Sequence, residues 1–226
     1  MPVQSKQEYK KEPGKKNTTA VRLITTLSIC TALLIIATYL YYTKFISNPY
    51  TEILNDPNIS AADKVNWAQR IDFPGLTNFY KVSEDLYRGA QPTVQGMEQL
   101  SKLGIKTIIN LRSIHSDRDE YDDTGLVYEH LNMTTLGPEN EDIARFLQIV
   151  TDSNSTPVFV HCKHGADRTG AMCAIYRIAV QNWSKDEAIA EMVGGGFGFH
   201  KIWMNLVDDI RELEIDEIKK SAELNE

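Results

Sequence analysis

The chain has 226 residues, which is enough for one domain of ordinary size with an appendage and too short for two large domains. Hydrophobic residues make up 42% and charged residues 24% of the sequence, which excludes collagen-like and intrinsically disordered proteins. The net charge is -7, yet six basic and two acidic residues stand among the first 22, so the rest of the chain is strongly acidic. This balance argues against nucleic acid as a partner, because its phosphates require a basic surface.

An apolar run comes first in chain order. Residues 23–42 read LITTLSICTALLIIATYLYY, an uncharged stretch long enough to cross the roughly 30 Å hydrocarbon layer of a bilayer as a helix. Three tyrosines and then Lys44 mark its C-terminal end, as expected at the level of the lipid headgroups. A cleaved signal peptide is the alternative, but its cleavage site needs small residues, whereas TYLYYTKF contains bulky ones. The sequence therefore favours an uncleaved membrane anchor.

Five parts are predicted along the chain. A basic tail over residues 1–22 stays in the cytoplasm under the positive-inside bias, and the transmembrane anchor covers residues 23–43. The remainder then lies outside the cytoplasm, which in a bacterium is the periplasm. Turn-rich segments indicate a linker over residues 44–66, followed by a folded domain over 67–215 and a C-terminal tail over 216–226. Membrane lipid is thus an expected partner.

The first half of the folded domain alternates between strands and one helix. FYKVSEDLYRGA predicts two short strands in a hairpin. TVQGMEQLSKLG predicts a helix with Thr93 as its N-cap and Gly104 as its stop. The apolar face of this helix consists of Val94, Met97, Leu100 and Leu103. IKTIINLR and LVYEHLN then predict two further strands.

The second half continues the alternation. EDIARFLQIV predicts a helix, PVFVHC a short buried strand and TGAMCAIYRIAVQ the helix that follows it. Ser184 and Glu187 form a capping-box pattern that opens the next helix, and a last amphipathic helix carries Trp203 and Leu206. Strands that alternate with helices predict an α/β fold, with a central, mostly parallel sheet flanked by helices.

In such a sheet, ligands bind beyond the carboxyl ends of the strands. Cys162 lies at one such end and Arg112 at another. The stretch FVHCKHGADRTGAM, residues 159–172, leads from a strand through a short loop into a helix, and successive backbone N–H groups in such a loop form an anion-binding nest. The predicted phosphate-binding loop comprises Lys163, His164, Gly165, Ala166, Asp167 and Arg168.

The side chains around this loop suit phosphate chemistry. The N–H donors that bind a phosphate would also stabilise a thiolate at Cys162, which makes this sulfur the predicted nucleophile. Arg168 can bind two phosphoryl oxygens at once through its guanidinium fork. His161 is expected to donate to backbone near the thiolate. Thr169 is expected either to hydrogen-bond the sulfur or simply to start the helix.

Other interpretations of the cysteines are weaker. A buried, inert Cys162 would leave the three basic residues of the loop unexplained. A zinc site made of His161, Cys162 and His164 lacks a second ligand pair at metal-binding spacing. Cys173 stands in the apolar pattern of the following helix and is expected in the core. No metal or cofactor is therefore expected.

A family resemblance rests on these residues and on others along the chain. The segments IINLRS, VFVHCKHGADRTG and GGGFG, with NFYKVSEDLYRGAQPT and YRIAVQNWSKDEAIAEM, resemble the cysteine-dependent tyrosine and dual-specificity phosphatases over residues 67–209. The likeness is greatest to their compact bacterial branch, which includes periplasmic enzymes. It implies a dual-specificity phosphatase fold and a two-step reaction without a metal. Cys162 would take the phosphoryl group, Arg168 would hold it, and water would then release it.

The family also implies a general acid, usually an aspartate on a loop about thirty residues before the cysteine. Here that loop reads LNMTTLGPENEDIARF, and Leu136 stands near the expected position. Glu139 is the first candidate because it lies in the loop just before a helix. The reserve candidates are Glu141, Asp142, Asp117 and Asp119.

Three functions are consistent with this sequence. The first is a membrane-anchored phosphatase of phosphotyrosine, and of phosphoserine or phosphothreonine, on proteins. The second is a phosphatase of small phosphorylated molecules such as inositol phosphates. Asp167 beside Arg168 and the acidic net charge weaken the field that a polyanion needs, which favours singly phosphorylated substrates. The third is a phosphate-binding pseudophosphatase, which the unclear general acid favours and the presence of both Cys162 and Arg168 opposes.

Overall fold

The computed structural model describes residues 18–46, 53–56, 59, 63–116 and 124–224. The chain forms two compact units, Met1–Pro49 and Tyr50–Glu226. In the first unit, helix α1 (Thr18–Ile46) covers the segment predicted as the anchor. Among the described residues, no helix is both long enough and apolar enough to cross a membrane. The anchor over residues 23–43 therefore has no structural support and stays a prediction.

The second unit is built on a sheet of six strands. The strands are β1 (Gln69–Arg70), β2 (Tyr80–Lys81), β3 (Leu86–Ala90), β4 (Thr107–Asn110), β5 (Val127–His130) and β6 (Val158–Cys162). Their order across the sheet is β1-β2-β3-β6-β4-β5. The pairs β3–β6, β6–β4 and β4–β5 are parallel, whereas β1–β2 and β2–β3 are antiparallel. The prediction of an α/β fold is confirmed, and the sheet is mixed, with three parallel and two antiparallel pairs.

Helices cover both faces of this sheet. They are α2 (Val94–Lys102), α3 (Asn140–Thr151), α4 (Asp167–Gln181), α5 (Lys185–Gly194), α6 (Asn205–Glu212) and α7 (Ile215–Ser221). Alternate strand residues point to opposite faces, so Ile109 and Val160 join the larger core with α3 to α7. Ile108 and Phe159 point the other way and pack in a smaller core with Met97 of α2. Strand β6 lies centrally, which places its C-terminal end inside the domain.

Local sequence signals explain where two of these helices begin. The Thr93 side chain accepts a hydrogen bond from the Gly96 N–H at the start of α2, as predicted. Ser184 and Glu187 form the predicted capping box at the start of α5. Two details of the α2 prediction are wrong, because Val94 and Leu103 are exposed rather than buried. Val94 is the first residue of the helix, and the packed face begins only with Met97.

The domain extends further than its predicted boundaries. Ile53 and Ile59, which the sequence placed in a linker, are buried in the larger core. At the other end, the predicted tail begins within helix α7, whose Ile218 is buried in the same core together with Ala222. Short apolar segments at the ends of a domain contribute to its core only through distant contacts, so local sequence patterns do not reveal their burial.

Candidate active site

Cys162 is the last residue of β6 and is buried at the carboxyl edge of the parallel strands. Register places it beside Ala90 of β3, while its neighbour His161 lies beside Asn110 of β4. Residues 162–168, called the cradle loop below, then lead into α4, which begins at Asp167. The sequence therefore correctly predicted the order strand, loop and helix around this cysteine.

Gly165 allows the cradle loop to turn against strand β3. Its φ is +69°, a left-handed conformation that glycine adopts without strain. A Cβ atom at this position would lie 2.3 Å from the carbonyl carbon of Gly89. No other residue fits here without displacing the backbone of the strand.

Four consecutive carbonyl groups of the cradle loop accept hydrogen bonds from residues outside it. The Lys163 carbonyl accepts from the Gln91 N–H at 3.4 Å, and the His164 carbonyl accepts from Asn78 Nδ2 at 2.8 Å. The next two carbonyls, of residues 165 and 166, accept from Arg88 Nη2 at 2.8 and 3.4 Å. In a trans peptide, the C=O of one residue and the N–H of the next point in opposite directions. Because the four carbonyls face residues outside the loop, the N–H groups of residues 164–167 point away from those residues.

Those N–H groups have no protein acceptor. In the described part of the chain, the backbone N–H groups of residues 163–168 donate to no other protein group. Residues 165–167 are buried, and buried backbone donors are nearly always paired, so this run without protein acceptors is a nest suited to an anion. The N-terminus of α4, a helix of 15 residues, adds its positive dipole end at the same point.

Arg168 lies at the inner end of the cradle loop. Its Nη1 donates to the carbonyl oxygens of Leu111 and Met133, both at 3.4 Å, which follow strands β4 and β5. Among the described residues, its Nε and Nη2 groups donate to no protein atom. The guanidinium is thus oriented by two carbonyls on one side and keeps a pair of donors for a ligand.

Two further predictions concern the residues beside the loop. His161 is fully buried, and burial lowers its pKa to about 3, so its imidazole is neutral. Its Nδ1 lies 3.4 Å from the Cys162 carbonyl oxygen, in agreement with the predicted role near the backbone. The Thr169 hydroxyl is buried without a hydrogen-bond partner in the described structure, and Thr169 lies in the first turn of α4, so of its two predicted roles the structure shows the helix start.

The Asp167 carboxylate points away from the loop's donors. It accepts a hydrogen bond from the His200 backbone N–H at 2.8 Å and lies 2.9 Å from His200 Nδ1. His200 follows the glycine run after α5, and its ring centre is 5.7 Å from that of His164. The Asp167 carboxylate is thus bound to His200, and the predicted effect of its charge on the field around Arg168 stays a prediction.

Arg112 lies at the carboxyl end of β4, as predicted. It is connected to the cradle loop through the side chain and backbone of Gln91. Its Nη1 donates to Gln91 Oε1, and the Gln91 N–H donates to the Lys163 carbonyl. A second positive charge is therefore connected to the rim of the loop.

Comparison with known proteins agrees with this geometry. Residues 75–202 match the family described as "DSP-PTPase phosphatase fused to NAD+ Kinase". The dual-specificity protein phosphatase TpbA of Pseudomonas aeruginosa is 33% identical over 156 residues, which cover 68% of this chain and 69% of TpbA. The chain belongs to the dual-specificity phosphatase family. It is a phosphatase of the cysteine-dependent class.

Solved structures and other relatives extend this comparison. Crystalline TpbA with a cysteine-to-serine change, in complex with phosphotyrosine, superposes with a TM-score of 0.63 and 29% identity, covering 71% of this chain and 98% of the other. Inositol diphosphatase DSP5 of Arabidopsis thaliana is 27% identical over 124 residues, which cover 50% of this chain and 59% of DSP5.

The candidate general acids of the phosphatase lie around the start of α3. Glu139 is exposed at the N-cap and lines a groove of about 690 Å³ with Asp209 and Glu217 of the C-terminal segment. Among the described residues that line this groove, none belongs to the cradle loop. Burial and the nearby Glu139 and Glu141 carboxylates raise the pKa of Asp142. Asp117 and Asp119 lie outside the described residues.

Sequence reasoning missed several residues that shape this site. Arg88 is fully buried in β3, with its guanidinium 3.7 Å from the centre of the Phe197 ring. Asn78 adopts a left-handed φ of 52° and bridges the cradle loop to the Phe197 carbonyl. The only sequence signal for these residues was Arg88 itself, an arginine within the otherwise apolar strand LYRGA. Charged residues are almost never fully buried without partners, so this arginine indicated an internal binding role.

Proposed function

We propose that this phosphatase hydrolyses phosphotyrosine on proteins, and phosphoserine or phosphothreonine as further substrates, through a phosphocysteine intermediate. The observation that carries the proposal is the run of unpaired N–H groups over residues 163–168, directly after Cys162. A phosphoryl group bound to these donors places its phosphorus next to the sulfur. The relative TpbA, solved in complex with phosphotyrosine, supports an aryl phosphate as the substrate.

In the first step, the Cys162 thiolate attacks phosphorus and the bond to the tyrosine oxygen breaks. The loop N–H groups and the Arg168 fork bind the three equatorial oxygens, whose charge they stabilise in the transition state. In the second step, water attacks the phosphocysteine, the sulfur–phosphorus bond breaks and phosphate leaves. Neither step calls for a metal.

Glu139 is the proposed proton donor to the leaving oxygen, since it is the first carboxylate after the segment that contacts Arg168. Glu139→Gln should lower kcat by about 10²-fold or more on a poor leaving group and much less on para-nitrophenolate. Asp142→Asn is the matched variant. If Glu139→Gln leaves the rate unchanged while Asp142→Asn lowers it, the role belongs to Asp142.

The decisive experiment compares the wild type with Cys162→Ser and Arg168→Lys on para-nitrophenyl phosphate and on phosphotyrosine peptides. We expect no turnover from the serine variant and a strong loss from the lysine variant, which lacks the planar fork. Equal rates for wild type and Cys162→Ser would refute the mechanism and favour the pseudophosphatase alternative. Trapping a phosphate on sulfur by rapid acid quench would identify the intermediate directly.

A second candidate function is hydrolysis of small phosphorylated molecules. Four exposed basic residues, Lys163, His164, His200 and Lys201, lie on or beside the cradle loop and would attract a polyanion. The relative DSP5 carries the name inositol diphosphatase, in accord with this candidate. Parallel assays of kcat/KM on phosphotyrosine peptides and inositol phosphates distinguish the two functions.

We also propose, from the sequence alone, that the segment of residues 23–43 anchors the enzyme in a membrane, with its N-terminus in the cytoplasm and its catalytic domain on the other side. The support is the uncharged run of residues 23–42 behind a basic tail. A reporter enzyme that is active only outside the cytoplasm, fused after Glu226, should be active. An inactive reporter in cells that contain the full-length fusion would overturn this topology.

A further inference from the structure

The most exposed apolar side chains of the catalytic unit lie on loops that are hydrogen-bonded to the cradle loop, directly or through one residue. Outside α1, the three most exposed large hydrophobic residues among those described are Ile114 at 96%, Leu136 at 81% and Ile202 at 75%. Single exposed apolar residues are ordinary on a protein surface. Three such residues on loops around one site call for a functional explanation, because nothing in the packing of the fold requires them there.

Ile114 lies on the loop that follows β4. Its neighbours Arg112 and His115 both hydrogen-bond to the side chain of Gln91, and His115 Nε2 is 3.2 Å from Gln91 Nε2. The N–H of Gln91 in turn donates to the Lys163 carbonyl of the cradle loop. Ile114 is thus on a loop that is linked to the cradle loop through Gln91.

Leu136 lies on the turn that follows β5. A bridge between Thr134 and Gly137 closes this turn, and the Leu136 N–H donates to the Thr134 hydroxyl. The turn begins just after Met133, whose carbonyl accepts the bond from Arg168. This loop is therefore attached to the guanidinium at the centre of the site.

Ile202 lies in the short 3-10 turn Lys201–Trp203. The turn begins just after His200, which hydrogen-bonds to Asp167 of the cradle loop through both its backbone N–H and its ring. The Leu136 and Ile202 loops are thus hydrogen-bonded to the cradle loop within three residues of their exposed side chain, and the Ile114 loop is connected to it through Gln91.

We propose that Ile114, Leu136 and Ile202 form a docking rim for aliphatic side chains that flank the phosphorylated residue of a protein substrate. The proposal rests on the proposed function of the same site and specifies its substrate class. In an extended peptide, neighbouring residues lie about 3.3 Å apart along the chain, so flanking side chains reach the rim when the phosphate occupies the cradle loop.

The charges around the rim fit a polypeptide better than a lipid surface. Leu136 is followed closely by the carboxylates of Glu139, Glu141 and Asp142, which repel an anionic bilayer. The basic side chains lie at the centre, on and beside the cradle loop, where they match the phosphate. A peptide with one phosphorylated residue between aliphatic neighbours is complementary to this surface, because its negative charge meets the basic centre and its uncharged flanks meet the aliphatic side chains.

The test uses the full chain in neutral detergent and two peptides of equal length, with phosphotyrosine between leucines or between serines. The wild type should prefer the leucine peptide by about 10-fold or more in kcat/KM, mainly through KM. The combined variant Ile114→Ser, Leu136→Ser and Ile202→Ser should lose this preference. Its kcat/KM on para-nitrophenyl phosphate should stay at the wild-type value, because that substrate reaches only the cradle loop.

The matched control carries Val65→Ser and Val127→Ser, two exposed aliphatic residues at the opposite edge of the sheet. Val127 begins β5, and Val65 lines a groove with Ser83 and Glu84, which precede β3. This control should keep the full preference for the leucine peptide. A loss of preference in the control as large as in the rim variant would overturn the assignment.

Other results would also overturn the docking rim. Equal wild-type rates on the two peptides would refute it and leave the proposed function intact. Turnover of para-nitrophenyl phosphate with neither peptide hydrolysed would refute the proposed function as well. If the rim variant loses hydrolysis of phosphatidic acid in mixed micelles but keeps its peptide preference, the rim binds lipid and the proposal is wrong.

Discussion

Two buried basic side chains flank Cys162 and act in different ways. Arg88 uses its charge, since its guanidinium holds two carbonyls of the cradle loop and lies on the ring of Phe197. His161 is neutral, because burial lowers its pKa to about 3. One residue therefore orients the loop through charged hydrogen bonds, and the other fills space behind it without adding charge.

Arg88→Lys tests the first of these roles. Lysine keeps the charge but lacks a planar fork, so it cannot hold the carbonyls of Gly165 and Ala166 in the same way. We expect kcat/KM on para-nitrophenyl phosphate to fall by about 10-fold or more and stability to fall by about 1–3 kcal/mol. Kinetics and urea denaturation measure the two effects. Arg145→Lys, at an exposed ion pair, is the control, and equal kinetics for both variants would contradict the role of Arg88.

His161 makes stability depend on pH. The unfolded chain binds a proton at this imidazole below its ordinary pKa of 6.5, whereas the folded protein does so only below about 3. The unfolded state therefore holds more protons between these values. The contribution of His161 to the free energy of unfolding is therefore complete above pH 6.5. It is lost as the pH falls, at a limiting slope of about 1.4 kcal/mol per pH unit.

His161→Gln should show a shallower loss of unfolding free energy between pH 6.5 and 4 than the wild type. Denaturant titrations at several pH values give this slope. Parallel curves for wild type and His161→Gln would show that the folded protein protonates this residue as easily as the unfolded chain does.

At the scale of elements, a buried ion pair joins helices α4 and α5 to the segment before β1. Arg177 Nη2 lies 2.6 Å from Glu191 Oε1, and both side chains are 3% exposed. The same groups bind the preceding segment, since Arg177 donates to the Asn66 carbonyl and Glu191 accepts from the Ala68 N–H at 2.6 Å. The segment before β1 is thereby held against helices α4 and α5.

Glu191→Ala leaves the Arg177 charge buried without its partner, so we expect a loss of about 3–5 kcal/mol in unfolding free energy. Limited proteolysis should then cut first near residues 63–68. The control is Glu129→Ala, which removes an exposed ion pair with Arg145 and should cost about 1 kcal/mol or less. Equal losses in the two variants would mean that the buried pair has no special role.

At the scale of the whole molecule, the chain consists of a helical N-terminal unit and a catalytic unit. The larger core includes Ile53 near one end of the catalytic unit and Ala222 near the other, so this unit contains its own complete core. A chain of residues 50–226 should therefore fold and hydrolyse para-nitrophenyl phosphate with the kcat/KM of the full chain. A fragment that starts at residue 67 lacks Ile53 and Ile59 and should be less stable. Equal denaturation midpoints for the two fragments would contradict this boundary.

The sequence alone determined the order of strands and helices, the caps at Thr93 and Ser184, and the position of Cys162 at the end of a buried strand. These features depend on hydrophobic periodicity and on hydrogen bonds between residues three or four positions apart. Both signals lie within a short segment and can be recognised without the tertiary structure. The loop at Cys162 was therefore predictable, together with its phosphate chemistry.

Tertiary structure alone decided how the cradle loop is held. Asn78 and Arg88 donate to carbonyls 86 and 77 residues away, and the bond between Asp167 and His200 spans 33 residues. Such partners are brought together by the order of strands in the sheet, which no local pattern records. The same reason applies to Ile114, Leu136 and Ile202, because their loops are distant in sequence and are connected to the cradle loop only by tertiary hydrogen bonds.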